Sequence, residues 1–367
     1  MSSPSFRLFH LPQVVLRELL NLLDLNELFI FSLCSRRANR YVKLYYNRFL
    51  KWKMFITGFS RQPVIQVEKK SRNQTIVAIK ENIELPSVEK VTIGRHIVSF
   101  VKTPENCELY WDDRRIGFKT VVDYICELFS PLPNHLCVGP DFIWMLEMFN
   151  NLSQHIVVTP VLTAAPCLEF FQLNEEECLE VLTTKIKSPT FDWGGSFPEN
   201  FSYAGSFGVH DRFTIDEGLW VTVDNLVSMG ETCSEVSIYK SKLSSGDLNT
   251  FLKMWLNQKA NALRLLVIKC ENINRDVIFD GLENEMITVE GTMVYENKKL
   301  SAMFESMGTP LEFPPGLKVL RRNDGMIAAA ALHSFGLCIG IWTDIGSIRE
   351  NEPATWKLLP INNPLNL

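Results

Sequence analysis

Residues 235–270 read EVSIYKSKLSSGDLNTFLKMWLNQKANALRLLVIKC, and no other stretch restricts the fold as strongly. A period-two run at 235–239 gives way to a helical run with Leu248, Phe251, Leu252, Trp255 and Leu256 on one face, started by a Ser/Asp cap at 244–247. A second apolar strand follows at 264–269. Ile238 and Val267 take equivalent strand positions 29 residues apart, inside the range of a strand-plus-helix leucine-rich repeat. Other strand spacings run from roughly 13 to 30 residues, so the repeat is degenerate. Such units cannot bury their apolar faces singly and stack into a curved parallel sheet with a concave binding face. Ser237 and Tyr239, or Thr222 and Asp224, alternate with the core positions and are expected to line that face.

The rest of the chain supplies other rhythms. Residues 63–111 alternate in strand fashion (VIQVEKK, TIVAIKE, VEKVTIG, HIVSFVK, ELYWDD) between Asn, Gly and Pro, which predicts a small antiparallel sheet. TGFSRQPVIQ at 57–66 reads as a linker. From Phe118 helices and strands alternate: TVVDYICELF, HLCVG, DFIWMLEMFNNL, HIVVTP, LEFFQLN, EEECLEVLTTK and, as a strand, LWVTVDN at 219–225. GMIAAAALHSFGLCIGIW at 325–342 is short and glycine-punctuated for a membrane span, which needs about 20 apolar residues. Asn323-Asp324-Gly325 and the turn at HSFG divide it instead into three buried antiparallel strands.

The opening segment, LPQVVLRELLNLLDLNELFIFSLCSRR at 11–37, carries more apolar surface than three short helices can bury among themselves. Pro12 suits a first helical turn, Asp24 with Glu27 makes a capping-box-like start for a second helix, and a basic third helix runs from about Ser35 to Phe49. The surplus is covered either by the chain itself or by another protein. Residues 1–60 hold nine Lys/Arg against three Asp/Glu, which favours an acidic partner, although the basic residues also read as the solvated side of one helix.

Leu11-Pro12, Leu16, Leu19-Leu20, Leu23, Leu28, Ser32-Leu33-Cys34 and Arg36-Arg37 together resemble the F-box over about 40 residues. The resemblance implies docking on the Skp-type adaptor of an SCF ubiquitin ligase with its cullin scaffold. Leu11, Pro12, Leu16, Leu20, Leu28, Leu33, Cys34, Arg36 and Arg37 are the implied adaptor contacts. Val14 stands where an acidic residue is common, and Ala38 replaces a common tryptophan. Residues 60–345 look like the type-2 F-box-associated domain of nematode F-box proteins. The likeness is sharpest at Phe251, Leu252, Trp255, Leu263, Leu266, Ile268 and the Asn323-Asp324-Gly325 turn, all of which read as structural.

The expected organisation is α/β (α+β overall). An F-box-like module occupies 5–50, a connector 51–66, a repeat-like, F-box-associated domain that binds a target protein 67–350, and a tail 351–367. The implied function is substrate recognition within a ubiquitin ligase, with a non-enzymatic binding scaffold as the alternative. No catalytic constellation emerges. Gly205-Ser206-Phe207-Gly208 lacks nucleophile-elbow spacing, His210-Asp211 is a lone acid/imidazole pair, and Glu175, Glu176 and Glu177 begin a helix whose dipole favours them. No cofactor, metal, nucleic acid or membrane is expected as a partner. Nine scattered cysteines without metal spacing suggest reduced thiols in the cytoplasm or nucleus.

Overall fold

Pairing of distant segments decides the architecture. The computed structural model describes residues 8–45, 53–59, 62–69, 72–82, 88–104, 106–130, 132–149, 155–158, 173–184, 186–289, 292–297, 311–333, 336–342 and 354–359. The chain divides into two compact units, residues 1–171 and 172–367.

The first unit opens with α1 (Gln13–Leu22), α2 (Leu25–Cys34) and α3 (Arg36–Tyr45). Its sheet contains β1 (Lys53–Phe59), β2 (Gln62–Lys69), β3 (Arg72–Glu81), β4 (Glu89–Ile93), β5 (His96–Lys102) and β6 (Cys107–Trp111). After α4 (Arg114–Phe129) come β7 (Leu132–Val138), α5 (Trp144–Phe149) and β8 (His155–Val158). Strand order is β8-β7-β1-β2-β3-β6-β5-β4. The predicted strands form, but the sheet is mixed: β1 pairs β7, and β3 pairs β6, in parallel, whereas β1-β2-β3 and β4-β5-β6 are antiparallel.

The expected connector at 51–66 carries β1 and the start of β2. Its Gly and Pro mark close approach within a sheet, not a linker. Pro63 sits opposite Gly58 in the hairpin, and a Cβ at Gly58 would lie 2.7 Å from Phe142 Cβ. α4 buries Phe118, Val121, Val122, Ile125, Leu128 and Phe129. Asp113 caps it, accepting from the backbone N–H groups of Arg115 and Ile116 at 2.8 and 3.1 Å.

The second unit contains α6 (Glu175–Thr183), β9 (Thr190–Trp193), β10 (His210–Ile215), α7 (Val223–Thr232), β11 (Cys233–Ser241), α8 (Ser245–Leu256) and β12 (Leu265–Cys270). There follow β13 (Met286–Val289), β14 (Thr292–Asn297), β15 (Leu311–Phe313), β16 (Leu317–Arg321), β17 (Ile327–His333), β18 (Gly336–Trp342) and β19 (Ala354–Leu359). β9 to β12 are parallel neighbours, and α7 and α8 are their crossovers, as the 235–270 pattern predicts. β12 continues into the antiparallel series β18-β17-β16-β13. The three strands expected around 325–342 are therefore β16, β17 and β18, and the Asn323-Asp324-Gly325 turn joins the first two. Gly325 there has φ +89°, a left-handed conformation that glycine adopts without strain.

Four expectations change. Ile238 pairs with Ile268, not Val267. β12 is apolar on both faces over Leu265–Ile268, so its sequence contains no alternation to fix the register. Leu219–Asn225 is not a strand. Thr222 caps α7, accepting from the backbone N–H of Asn225 at 3.3 Å, which places Asp224 on a helix. The face bearing Ser237 is not open at β12: Leu265 and Val267 are buried against Met293, Leu311 and Phe313 of the small sheet β15-β14-β19. Residues 354–359, placed in a tail, form β19 of that sheet. LEFFQLN falls mostly outside the described residues.

Between β9 and β10 the crossover is not a helix. Residues 194–209 fold over the sheet through rings: Trp193 and Phe197 lie 4.4 Å apart, Phe197 and Trp220 4.9 Å, and Phe201 and Trp220 5.2 Å. Aromatic area here does what an amphipathic helix does in the neighbouring units.

Candidate functional site

The N-terminal helices sort their apolar residues into two sets. α1 follows Pro12, whose carbonyl accepts from Leu16 N–H at 3.0 Å. Leu16 and Leu20 turn inward and are buried. Val15, Leu19 and Leu22, at i, i+4 and i+7, turn outward together with Val14. Leu22 is 80% exposed and Val14 63%. Solvent thus covers a continuous apolar ridge, the kind of surface that a partner protein buries.

α2 buries one side and leaves Glu27 and Cys34 to solvent. Leu25, Leu28 and Phe29 are buried, and Phe29 meets Tyr124 of α4 edge-on with ring centres 5.8 Å apart. Glu27 Oε2 accepts from the Asp24 backbone N–H at 2.9 Å, the capping contact expected from sequence. Asn26 Oδ1 accepts from Gln74 Nε2 of β3 at 3.1 Å.

α3 presents Arg36 and Arg40 to solvent. The guanidinium of Arg37 instead sits 4.8 Å from the Phe9 ring centre and 5.7 Å from that of Tyr41, and its Nη2 donates to the Phe9 carbonyl at 3.3 Å. Phe9 stacks on Tyr41 at 5.2 Å, and Tyr41 on Tyr45 at 5.5 Å. Arg37 therefore clamps the turn Leu8–His10 to α3 and aims the adjoining Leu11-Pro12. Lys43 pairs with Glu127 of α4 at 2.5 Å, so part of the basic face is neutralised within the unit.

The sequence-predicted contact set is divided accordingly. Pro12, Cys34, Arg36 and Arg37 are exposed, Leu11 and Leu33 half-buried, and Leu16, Leu20 and Leu28 buried. Val15 and Leu22 were not in that set, although helical periodicity measured from buried Leu16 and Leu20 places them on the opposite face.

The motifs elsewhere are accounted for by packing. His210 Nδ1 donates to the Ser188 carbonyl at 2.7 Å, and its ring lies beside the stacked rings of Phe191 and Phe213, with centres 5.6 and 5.7 Å away. Burial lowers its pKa from the ordinary histidine value, favouring the neutral ring. Glu177 Oε2 accepts from the Asn174 backbone N–H at 2.8 Å, completing the cap of α6. Among the described residues no group of three or more His, Cys, Asp and Glu side chains is placed to hold a metal ion. No helix among them is long and apolar enough to cross a membrane.

The F-box domain family matches residues 8–50, which contain the three helices and the Phe9 turn. The F-box associated family matches residues 207–268, which contain β10, α7, β11, α8 and most of β12. Over these two segments the chain resembles F-box proteins. It is similar to the Skn-1 dependent zygotic transcript 15 protein of Caenorhabditis elegans, with 31% identity over 109 residues. That stretch covers 29% of this chain and 30% of the relative, so the chain matches under a third of the relative's length. No solved structure matches. F-box and F-box-associated families are typically non-catalytic adaptors.

Proposed function

We propose that this chain is the substrate-recognition subunit of an SCF-type ubiquitin ligase. α1 docks on a Skp-type adaptor joined to a cullin scaffold, and the unit bearing the F-box-associated segment takes a target protein. The apolar ridge Val14, Val15, Leu19 and Leu22 carries this reading, because the chain buries the opposite face of the same helix and leaves this one to water. Each such side chain contributes about 1.5–3 kcal/mol when fully covered, enough for a few of them to anchor an interface. Exposed Arg36 and Arg40 would meet an acidic rim. Leu16, Leu20 and Leu28 shape the module from within, and Leu11 and Pro12 begin the docking surface. In this role the chain performs no chemistry itself; ubiquitin transfer belongs to other subunits. Cytoplasm or nucleus is its place of work, where thiols stay reduced; the eight described cysteines are all free.

The test is co-purification of the full chain with a Skp-type adaptor. Wild type should retain the adaptor, whereas Val15→Glu with Leu22→Glu, and separately Leu11→Arg with Pro12→Ala, should lose it and remain folded. Undiminished capture by both variants would refute the docking surface. A wild-type chain that binds no adaptor would favour a stand-alone binding scaffold.

A further inference from the structure

One hydroxyl group of α4 bonds to both α2 and α3. Asn39 Nδ2 of α3 donates to Tyr124 Oη at 2.8 Å. Tyr124 Oη and Ser32 Oγ of α2 are also 2.8 Å apart, and Ser32 Oγ donates onward to the Phe29 carbonyl at 2.6 Å. Proton counting fixes the direction. An amide nitrogen only donates, and the Ser32 proton is committed to a carbonyl, so the Tyr124 proton points to Ser32. The result is a relay from α3 through α4 to α2 in which both hydroxyls donate and accept, and such chains polarise one another. Burial raises the Tyr124 pKa from its ordinary value, so the phenol keeps its proton at neutral pH.

Two further polar contacts flank the relay, Lys43 with Glu127 and Gln74 with Asn26. Ser32 is buried, and Tyr124 and Asn39 are half-buried, so the relay lies inside a seam and not on an open surface. Apolar packing of Phe29 and Leu28 alone is non-directional and would tolerate rotation of the helices. Hydrogen bonds with fixed donors and acceptors do not.

We propose that Tyr124 is a positioning residue: its hydroxyl fixes the angle at which the three helices, and with them the exposed ridge of α1, stand on the sheet of their own unit. This holds whatever protein covers the ridge, so it survives or fails independently of the adaptor reading. A partner bound to α1 then receives the first unit in one orientation.

The test uses the full chain. Distance labels that do not rely on cysteine are placed at exposed Glu18 of α1 and Arg95 in the β4–β5 turn. The wild type should give one narrow distance distribution, and Tyr124→Phe a broadened one. Tyr124→Phe retains the ring against Phe29 and removes only the hydroxyl. Amide hydrogen exchange in α2 and α3 should accelerate about fivefold, the effect of one net hydrogen bond, with α8 and β11 unchanged. Ser32→Ala combined with Tyr124→Phe should accelerate exchange by less than the two single effects combined, because the Tyr124–Ser32 bond is already lost in each. An unchanged distance distribution in Tyr124→Phe would overturn the proposal. So would additive effects in the double variant, or loosening by Tyr124→Ala alone, which would assign the whole effect to the ring.

Discussion

The guanidinium of Arg322 lies 5.1 Å from the centre of the Trp255 ring, and its Nη1 donates to the Trp255 carbonyl at 3.2 Å. Its other nitrogens form a fork with Asp324, Nε to Oδ1 at 2.9 Å and Nη2 to Oδ2 at 2.6 Å. The turn that begins β17 is thereby tied to the last turn of α8. Replacing buried Arg322 with Met should destabilise the protein by about 3 kcal/mol, since the Asp324 carboxylate loses its charged partner and the Trp255 carbonyl one of its donors. Urea unfolding followed by circular dichroism measures it, and a loss below about 1 kcal/mol would show that the fork contributes little.

The same pair gives a pH dependence. The Arg322 hydrogen bonds hold the Asp324 carboxyl below the ordinary carboxylate range, outweighing the opposing effect of burial. The folded state therefore favours the ionised form. Its contribution is complete above the unfolded value, near pH 4, and is lost as pH falls through the lowered folded value. Asp324→Asn should lower stability at pH 7 and flatten the acid limb of the stability curve, while leaving the slope between pH 6 and 8 unaltered. Melting temperatures from about pH 2 to pH 8 provide the check.

The two faces of the N-terminal helices should separate in stability measurements. Leu28→Ala removes a fully buried side chain and should cost about 2–5 kcal/mol. Leu22→Ala should shift stability by no more than about 0.5 kcal/mol, because that side chain meets water. Thermal melts of the free chain distinguish the two; equal losses would mean that α1 is covered by the chain itself.

Gly117 of α4 lies against the Trp111 ring, and a Cβ built there would be 2.3 Å from Trp111 Cγ. Gly117→Ala raises helix propensity yet forces the indole or the helix aside. We expect a net loss of about 1–3 kcal/mol, the usual cost of overpacking. A more stable variant would show that the indole relocates freely.

What could be read from the sequence was whatever a local rule dictates. The Asn-Asp-Gly turn, the Ser244 cap of α8 and the strand–helix–strand order at 235–270 need only neighbouring residues to define them. The failures share a different cause, namely that partners distant in sequence make the decision. Gly58 and Pro63 looked like a linker because the hairpin that uses them is completed by Phe142 and β7. LWVTVDN alternates like a strand, but Thr222 and Asn225 form a helix cap within it. Of the leucines in the first two helices, Leu16, Leu20, Leu28 and Leu33 were assigned to a partner and Leu19 and Leu22 were not. Their division into Leu16, Leu20 and Leu28 inside, and Val15, Leu19 and Leu22 outside, depends on where α3, α4 and β3 lie.

Because Tyr124 closes the greasy rear of α2 and α3, residues 8–45 are not a cassette to be lifted out and fused elsewhere. Cut free after residue 50, the segment would bring Phe29 to the surface as an adhesive patch. A graft that is meant to stay monomeric has to carry the chain onward through Phe129 and the strands beneath it.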